Sequence, residues 1–179
     1  MVSPSDSIEV FAAPGKTVGT LRLGAFTAPC SLGRSGILSP KVEGDGGTPG
    51  GTFPLRDAWY RADRIRRPDT RLPLHATNPT DGWCDEPSDR SYNRAVRLPY
   101  PADAEQMWRD DHLYDLLAVV GYNDQPVVPG AGSAIFLHVV HEQNGAFLPT
   151  SGCISMRIEH LTYLLRRCRP STRITIRIE

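Results

Sequence analysis

Glycine and proline punctuate this chain so densely that sustained helical periodicity has little room in roughly its first hundred residues. There are 16 of each among 179 residues, and they fall between short extended runs, the pattern of strands joined by turns. Residues 8–11 and 20–23 read as two such strands, with Leu21 and Leu23 alternating around Arg22. Pro14-Gly15-Lys16 between them suits a hairpin turn, and residues 26–32 read as a third strand. At the other end residues 172–178 alternate cleanly, placing Ile174, Ile176 and Ile178 inward and Arg173, Thr175 and Arg177 outward. Residues 41–55, KVEGDGGTPGGTFPL, make a tight turn between strands rather than a phosphate-cradling loop. Such a loop must open a helix, and Thr52-Phe53-Pro54-Leu55 cannot.

Two helices are expected among the strands. The shorter covers residues 102–109, with Ala104, Met107 and Trp108 on one side. The other starts near Ser155, after which Ile158, Leu161, Leu165 and Cys168 recur at helical spacing; Arg166, Arg167 and Arg169 crowd its end, and Pro170 stops it. The length suits one domain over residues 1–179. The expected fold is mostly β, a single-domain β-sandwich of two packed mixed sheets.

With 40% hydrophobic and 22% charged residues the composition is that of an ordinary globular protein. Twenty basic and twenty acidic residues cancel, which argues against nucleic acid or anionic lipid as a partner. The five arginines within residues 61–71 read as a solvated face, and residues 81–93 as an irregular, turn-rich segment whose Trp83 and Tyr92 are local anchors. No apolar run is long enough to insert in a membrane. The N-terminus, MVSPSDSIEVF, has neither the basic nor the apolar region of a signal peptide, so the chain is either cytoplasmic or the form left after leader removal. Cys30, Cys84, Cys153 and Cys168 contain no CxxC pair and no zinc-ligand spacing.

Chemistry concentrates in residues 134–156, AIFLHVVHEQNGAFLPTSGCISM. Ile135-Phe136-Leu137 is a buried strand that ends on His138. Fifteen positions later comes Cys153, behind Ser151-Gly152. A thiol attacks as thiolate, so it needs a base, and His138 can take its proton. A helix starting near Ser155 would place Cys153 at its positive end, and the turn at Gly152 would leave backbone N–H groups free for a tetrahedral oxyanion. Read blandly, Cys153 is a small buried hydrophobe and His138 a hydrogen-bonded core residue.

The segment TSGCISM with the upstream His138 resembles the signature of the L,D-transpeptidase catalytic domain, the YkuD-like family. KVEGDGGTPGGTFPL, DGWCDEPSDRSYN, LYDLLAVVGYNDQPVVPG and SAIFLHV extend the likeness over roughly residues 34–165. The resemblance implies the same sandwich, Cys153 as nucleophile, His138 as general base, Gly152 as turn glycine, and an oxyanion hole from the backbone N–H groups of Gly152 and Cys153. It implies no metal and no cofactor. Peptidoglycan stem peptides would be acyl donor and amine acceptor, and the setting would be the cell envelope or periplasm. Two positions depart from the family's pattern: Ser151 stands where a histidine is usual, and Ser155 where an arginine is common. Thr150 and Ser151 are candidates to orient the imidazole, and Arg34, Tyr122 and Asn123 are weaker candidates for the cleft. L,D-carboxypeptidase and amidase outcomes share the same nucleophile. Among other classes, a zinc hydrolase on His138, His141, Glu142 and Cys153 lacks the helical His-Glu-x-x-His spacing. A non-catalytic wall-binding module would have no need of an activated thiol.

Overall fold

The N-terminal hairpin forms where the apolar residues alternate. In the computed structural model, which describes residues 7–179, strand Ser7–Ala12 buries Ile8, Val10 and Ala12, and its neighbour Val18–Leu23 buries Leu21 and Leu23. Residues 1–6, on which part of the leader reading rests, lie outside the described residues. Phe26–Ser31 pairs next to this hairpin, and the C-terminal strand Arg173–Ile178 runs parallel on its other side. Ile174 and Ile176 are buried there, but Ile178 is 51% exposed, because the strand runs past the edge of the core at its last turn.

These strands belong to one nine-stranded sheet that closes on itself, since Leu116–Val120 pairs with both Phe136–Val139 and Gly51–Tyr60. The two walls expected of a sandwich are thus one continuous, barrel-like sheet around a core of Leu55, Leu116, Leu137, Ile154, Met156 and Leu161. The glycine-rich segment 41–55 turns as expected and leads into Gly51–Tyr60, the ten-residue strand of the sheet. Its tip is fixed by Asp45, which accepts bonds from Lys41 Nζ (2.6 Å) and the Val42 and Gly47 N–H groups. No helix among the described residues is long and apolar enough to cross a membrane.

The helix expected over 102–109 is absent. Ala104–Gln106 is instead a strand paired antiparallel with Asp81–Cys84, which also makes residues 81–93 more regular than the sequence suggested. Arg94–Arg97 completes this separate three-stranded sheet. Residues 102–109 are too short to nucleate a helix unaided, whereas strand pairing lets Met107 enter a second apolar cluster with Tyr114, Leu117, Val119, Phe136 and Cys153. Arg61 likewise departs from the solvated face assigned to residues 61–71. It is buried, its guanidinium lies 3.5 Å from the Trp108 ring centroid, and it bonds Asp63 and the Arg109 carbonyl. It thereby holds the backbone of Arg109, whose own guanidinium lies over the Tyr114 ring.

Among the described residues one α-helix is present, Ile158–Leu165, burying Leu161, Leu164 and Leu165. It starts three residues later than expected, because Ile154–Met156 continues as a strand of the main sheet. Cys153 therefore does not sit at a helix N-terminus.

Candidate active site

Two parallel neighbours build the site. Phe136–Val139 and Ile154–Met156 pair with His138 opposite Ser155, and the hairpin of Glu142–Gln143 and Ala146–Phe147 lies in the crossover between them. Side chains on a strand alternate faces with period two. His138 and Ser155 therefore share one face, and Cys153, two residues before Ser155, continues it opposite Phe136. All three line one cavity of about 300 Å³, the small end of the range for ligand pockets.

The turn before the cysteine is held by Thr150, whose Oγ1 accepts the Gly152 N–H (3.1 Å) and donates to the Cys153 carbonyl (2.7 Å). Gly152 has φ +139°, and a Cβ there would lie 2.9 Å from the Gly47 carbonyl oxygen, so only glycine fits. Ser151 accepts a bond from Arg34 Nη1 (3.3 Å), and the Arg34 N–H donates to the Thr150 carbonyl. The structure thus brings Arg34, Thr150, Ser151, Gly152, Cys153 and His138 together. Tyr122 and Asn123 do not line the cavity; Tyr122 packs edge-on against Phe53, and Asn123 brackets the turn that follows it. With the Gly152 N–H already bonded to Thr150, an oxyanion would have to compete for that donor.

Cys153 is 8% exposed, and its thiol is held from both sides. The Phe136 N–H donates to Sγ (3.3 Å), and Sγ donates to the Ala134 carbonyl (3.2 Å). Burial, with the charge of Glu105 behind it, pushes the thiol up to about 12, and the Phe136 N–H works against that rise. Burial pulls His138 down to about 4. His138 Nδ1 lies 2.8 Å from the Val139 carbonyl; a carbonyl only accepts, so Nδ1 carries the proton and Nε2 keeps the free lone pair. At rest the pair is a neutral thiol and a neutral imidazole, not the ion pair that a helix dipole would have favoured. All four cysteines are free and buried, and burial likewise pushes Cys30 and Cys168 up to about 12. What sets Cys153 apart is its place on the cavity wall.

Several participants were not singled out from the sequence. Tyr114 stacks edge-on against His138 (5.3 Å) and Phe136 (5.7 Å) and donates its hydroxyl to Glu105. Ala134 adopts φ +51°, an uncommon conformation for a residue with a Cβ. Asn93 supports it: Oδ1 accepts from the Ala134 N–H (3.0 Å) and from Trp83 Nε1 (3.0 Å), while Nδ2 donates to the Tyr122 and Asn123 carbonyls. Asn93→Ala would strand these buried groups, so urea unfolding is expected to show a loss of at least about 2 kcal/mol. The only sequence signal was an asparagine in a turn-rich stretch.

Against known families, the model of the L,D-transpeptidase catalytic domain (YkuD) matches residues 2–176. The chain belongs to this family. The match covers nearly the whole chain, more than the 34–165 over which the resemblance was legible by motif. No individually curated protein matches the chain. Membership makes the domain an enzyme of L,D-transpeptidase type and makes peptidoglycan peptides its kind of partner.

Proposed function

We propose that this chain is one catalytic domain that acts on tetrapeptide stems of peptidoglycan as a cysteine-dependent L,D-transpeptidase. The observation that carries the reading is the placement of Cys153 and His138 on one face of adjacent parallel strands, at a shared cavity. Cys153 Sγ attacks the carbonyl at the L-centre of the diamino acid, and His138 Nε2 takes the thiol proton as the C–S bond forms. The tetrahedral oxyanion takes hydrogen bonds from the backbone N–H groups of Cys153 and Gly152, the latter exchanging its bond to Thr150 Oγ1 for the oxyanion. Collapse breaks the C–N bond, His138 returns the proton to the leaving amine, and D-alanine departs, leaving a thioester on Cys153. The amine of a second stem then takes the acyl group, regenerating the thiol. Thr150 orients the turn, and Arg34 with Ser151 borders the mouth.

Because the resting pair is neutral, proton transfer accompanies attack rather than preceding it. The stem peptides place this chemistry in the cell envelope. Incubation with tetrapeptide muropeptides, read by product mass, is expected to yield cross-linked dimers and free D-alanine. Tripeptides alone would replace the transpeptidase by an L,D-carboxypeptidase. Unchanged stems with a reactive Cys153 would point to another acyl donor, such as a protein–peptidoglycan link.

A further inference from the structure

A second hollow, of about 420 Å³, opens at the end of helix Ile158–Leu165. Its wall carries Arg71, Arg166, Arg167 and Arg169, with Tyr163 and Phe26, and no carboxylate. No residue lines both this hollow and the Cys153 cavity. Strand Phe26–Ser31 spans the gap between them: Phe26 lines the hollow, and Ser31 pairs with Ser155 of the cavity. The separation is the length of that strand, about 17 Å at ~3.4 Å per residue.

In a chain whose charges cancel overall, four guanidinium groups on one wall are a strong local excess. The helix C-terminus favours cations, which accounts for Arg166 and Arg167. Arg167 lies 3.5 Å from the Tyr163 ring centroid and donates from Nη1 to the Tyr163 carbonyl (3.2 Å). Tyr163 is itself stacked on Phe26 at 4.5 Å, so this guanidinium is held in place. The dipole does not account for Arg71, which the loop before strand Leu74–Ala76 brings to the same wall. Acidic compensation is slight. Arg166 Nε meets Asp69 at 3.2 Å, but the two side chains are 71% and 77% exposed, and such pairs contribute little. Among the described residues, the Arg71 and Arg169 side chains meet no carboxylate within ion-pair distance. Even counting Asp69, the wall keeps an excess of three positive charges.

We propose that this hollow binds a diphosphate group, on a ligand distinct from the peptide that Cys153 attacks. A guanidinium fork matches phosphate oxygens bidentately. A tetrahedral phosphate also offers its oxygens in several directions, to guanidinium groups arriving from a loop and from a helix end. A single phosphate monoester carries only about −1.5 to −2 charges, short of the excess on the wall; two linked phosphates come closer to balancing it. The volume lies within the range of small-ligand pockets. The site does not depend on the acyl-transfer reading, because it shares no residue with that cavity.

The test is equilibrium dialysis of radiolabelled inorganic pyrophosphate against the whole purified chain at low salt, with orthophosphate and citrate as competitors. Pyrophosphate is expected to bind at least about tenfold tighter than either, and to weaken as salt is added. Arg71→Gln with Arg169→Gln should weaken it about tenfold. Arg90→Gln with Arg94→Gln removes the same charge from exposed positions outside the hollow and should leave binding unchanged. Pyrophosphate binding no tighter than either competitor, or equal losses in the two double variants, overturns the proposal. Displacement of pyrophosphate by a tetrapeptide stem would put the anion in the catalytic cavity and overturn it too. Vesicles bearing a diphosphate-headed lipid locate the source. Co-sedimentation lost in the Arg71/Arg169 double variant puts the group on a membrane lipid; a chain left in the supernatant that still binds pyrophosphate takes it from a soluble ligand.

Discussion

Cys153→Ala is expected to lower acyl transfer by at least about 10⁴-fold while the chain stays folded, because no other thiol faces the cavity. The side chain packs with Phe136 and Tyr114, and losing one sulfur there costs on the order of 1 kcal/mol. Cys30, Cys84 and Cys168 are buried elsewhere, so they offer no substitute. Circular dichroism and urea unfolding check the fold, and thioester formation with stem peptide checks the chemistry. A variant retaining a tenth of the wild-type rate would remove Cys153 from the mechanism.

His138→Gln should reduce acyl-enzyme formation by about 10²–10⁴-fold, the usual worth of a positioned base. The wild-type pH dependence follows from the two burial effects. With the thiol pushed up to about 12, the thiolate fraction rises about tenfold for each pH unit below that value. Alkylation of Cys153 by iodoacetamide should therefore climb through the neutral range without levelling. A plateau there would mean a resting thiolate–imidazolium pair and would contradict the neutral pair. His138 also links pH to stability. Its folded value of about 4 lies below the ordinary 6.5, so between them the unfolded chain binds more protons than the native one. Stability is lost as pH falls through that window, and His138→Gln should flatten the loss.

The sequence carried much of this arrangement. Strands with strict alternation, such as the one containing Ile174 and Ile176, were legible because period-two patterning reports a half-buried sheet. Cys153 and His138 were legible because a strand-borne histidine and a Ser-Gly-Cys turn are local signals. Errors arose where tertiary pairing overrode local pattern. Ala104, Met107 and Trp108 have helical spacing, yet pairing with Asp81–Cys84 makes Ala104–Gln106 a strand. Ile154-Ser155-Met156 extends into the sheet before the helix starts, which removes the dipole argument for the thiolate. The carboxyl groups of Asp85 and Glu105 on the cavity wall were not legible at all. Asp85 and Glu105 are distant in sequence and meet through the register that sets Trp83 opposite Glu105. Asn93 was missed for the same reason, its partners lying in three separate segments.

Whether Cys153 carries the acyl group is read from intact-protein mass after mixing with a tetrapeptide stem. One adduct is expected, equal to the stem minus D-alanine, mapped to Cys153, missing in Cys153→Ala and strongly diminished in His138→Gln. Stem turnover without an adduct on Cys153, or an adduct on another residue, would contradict it.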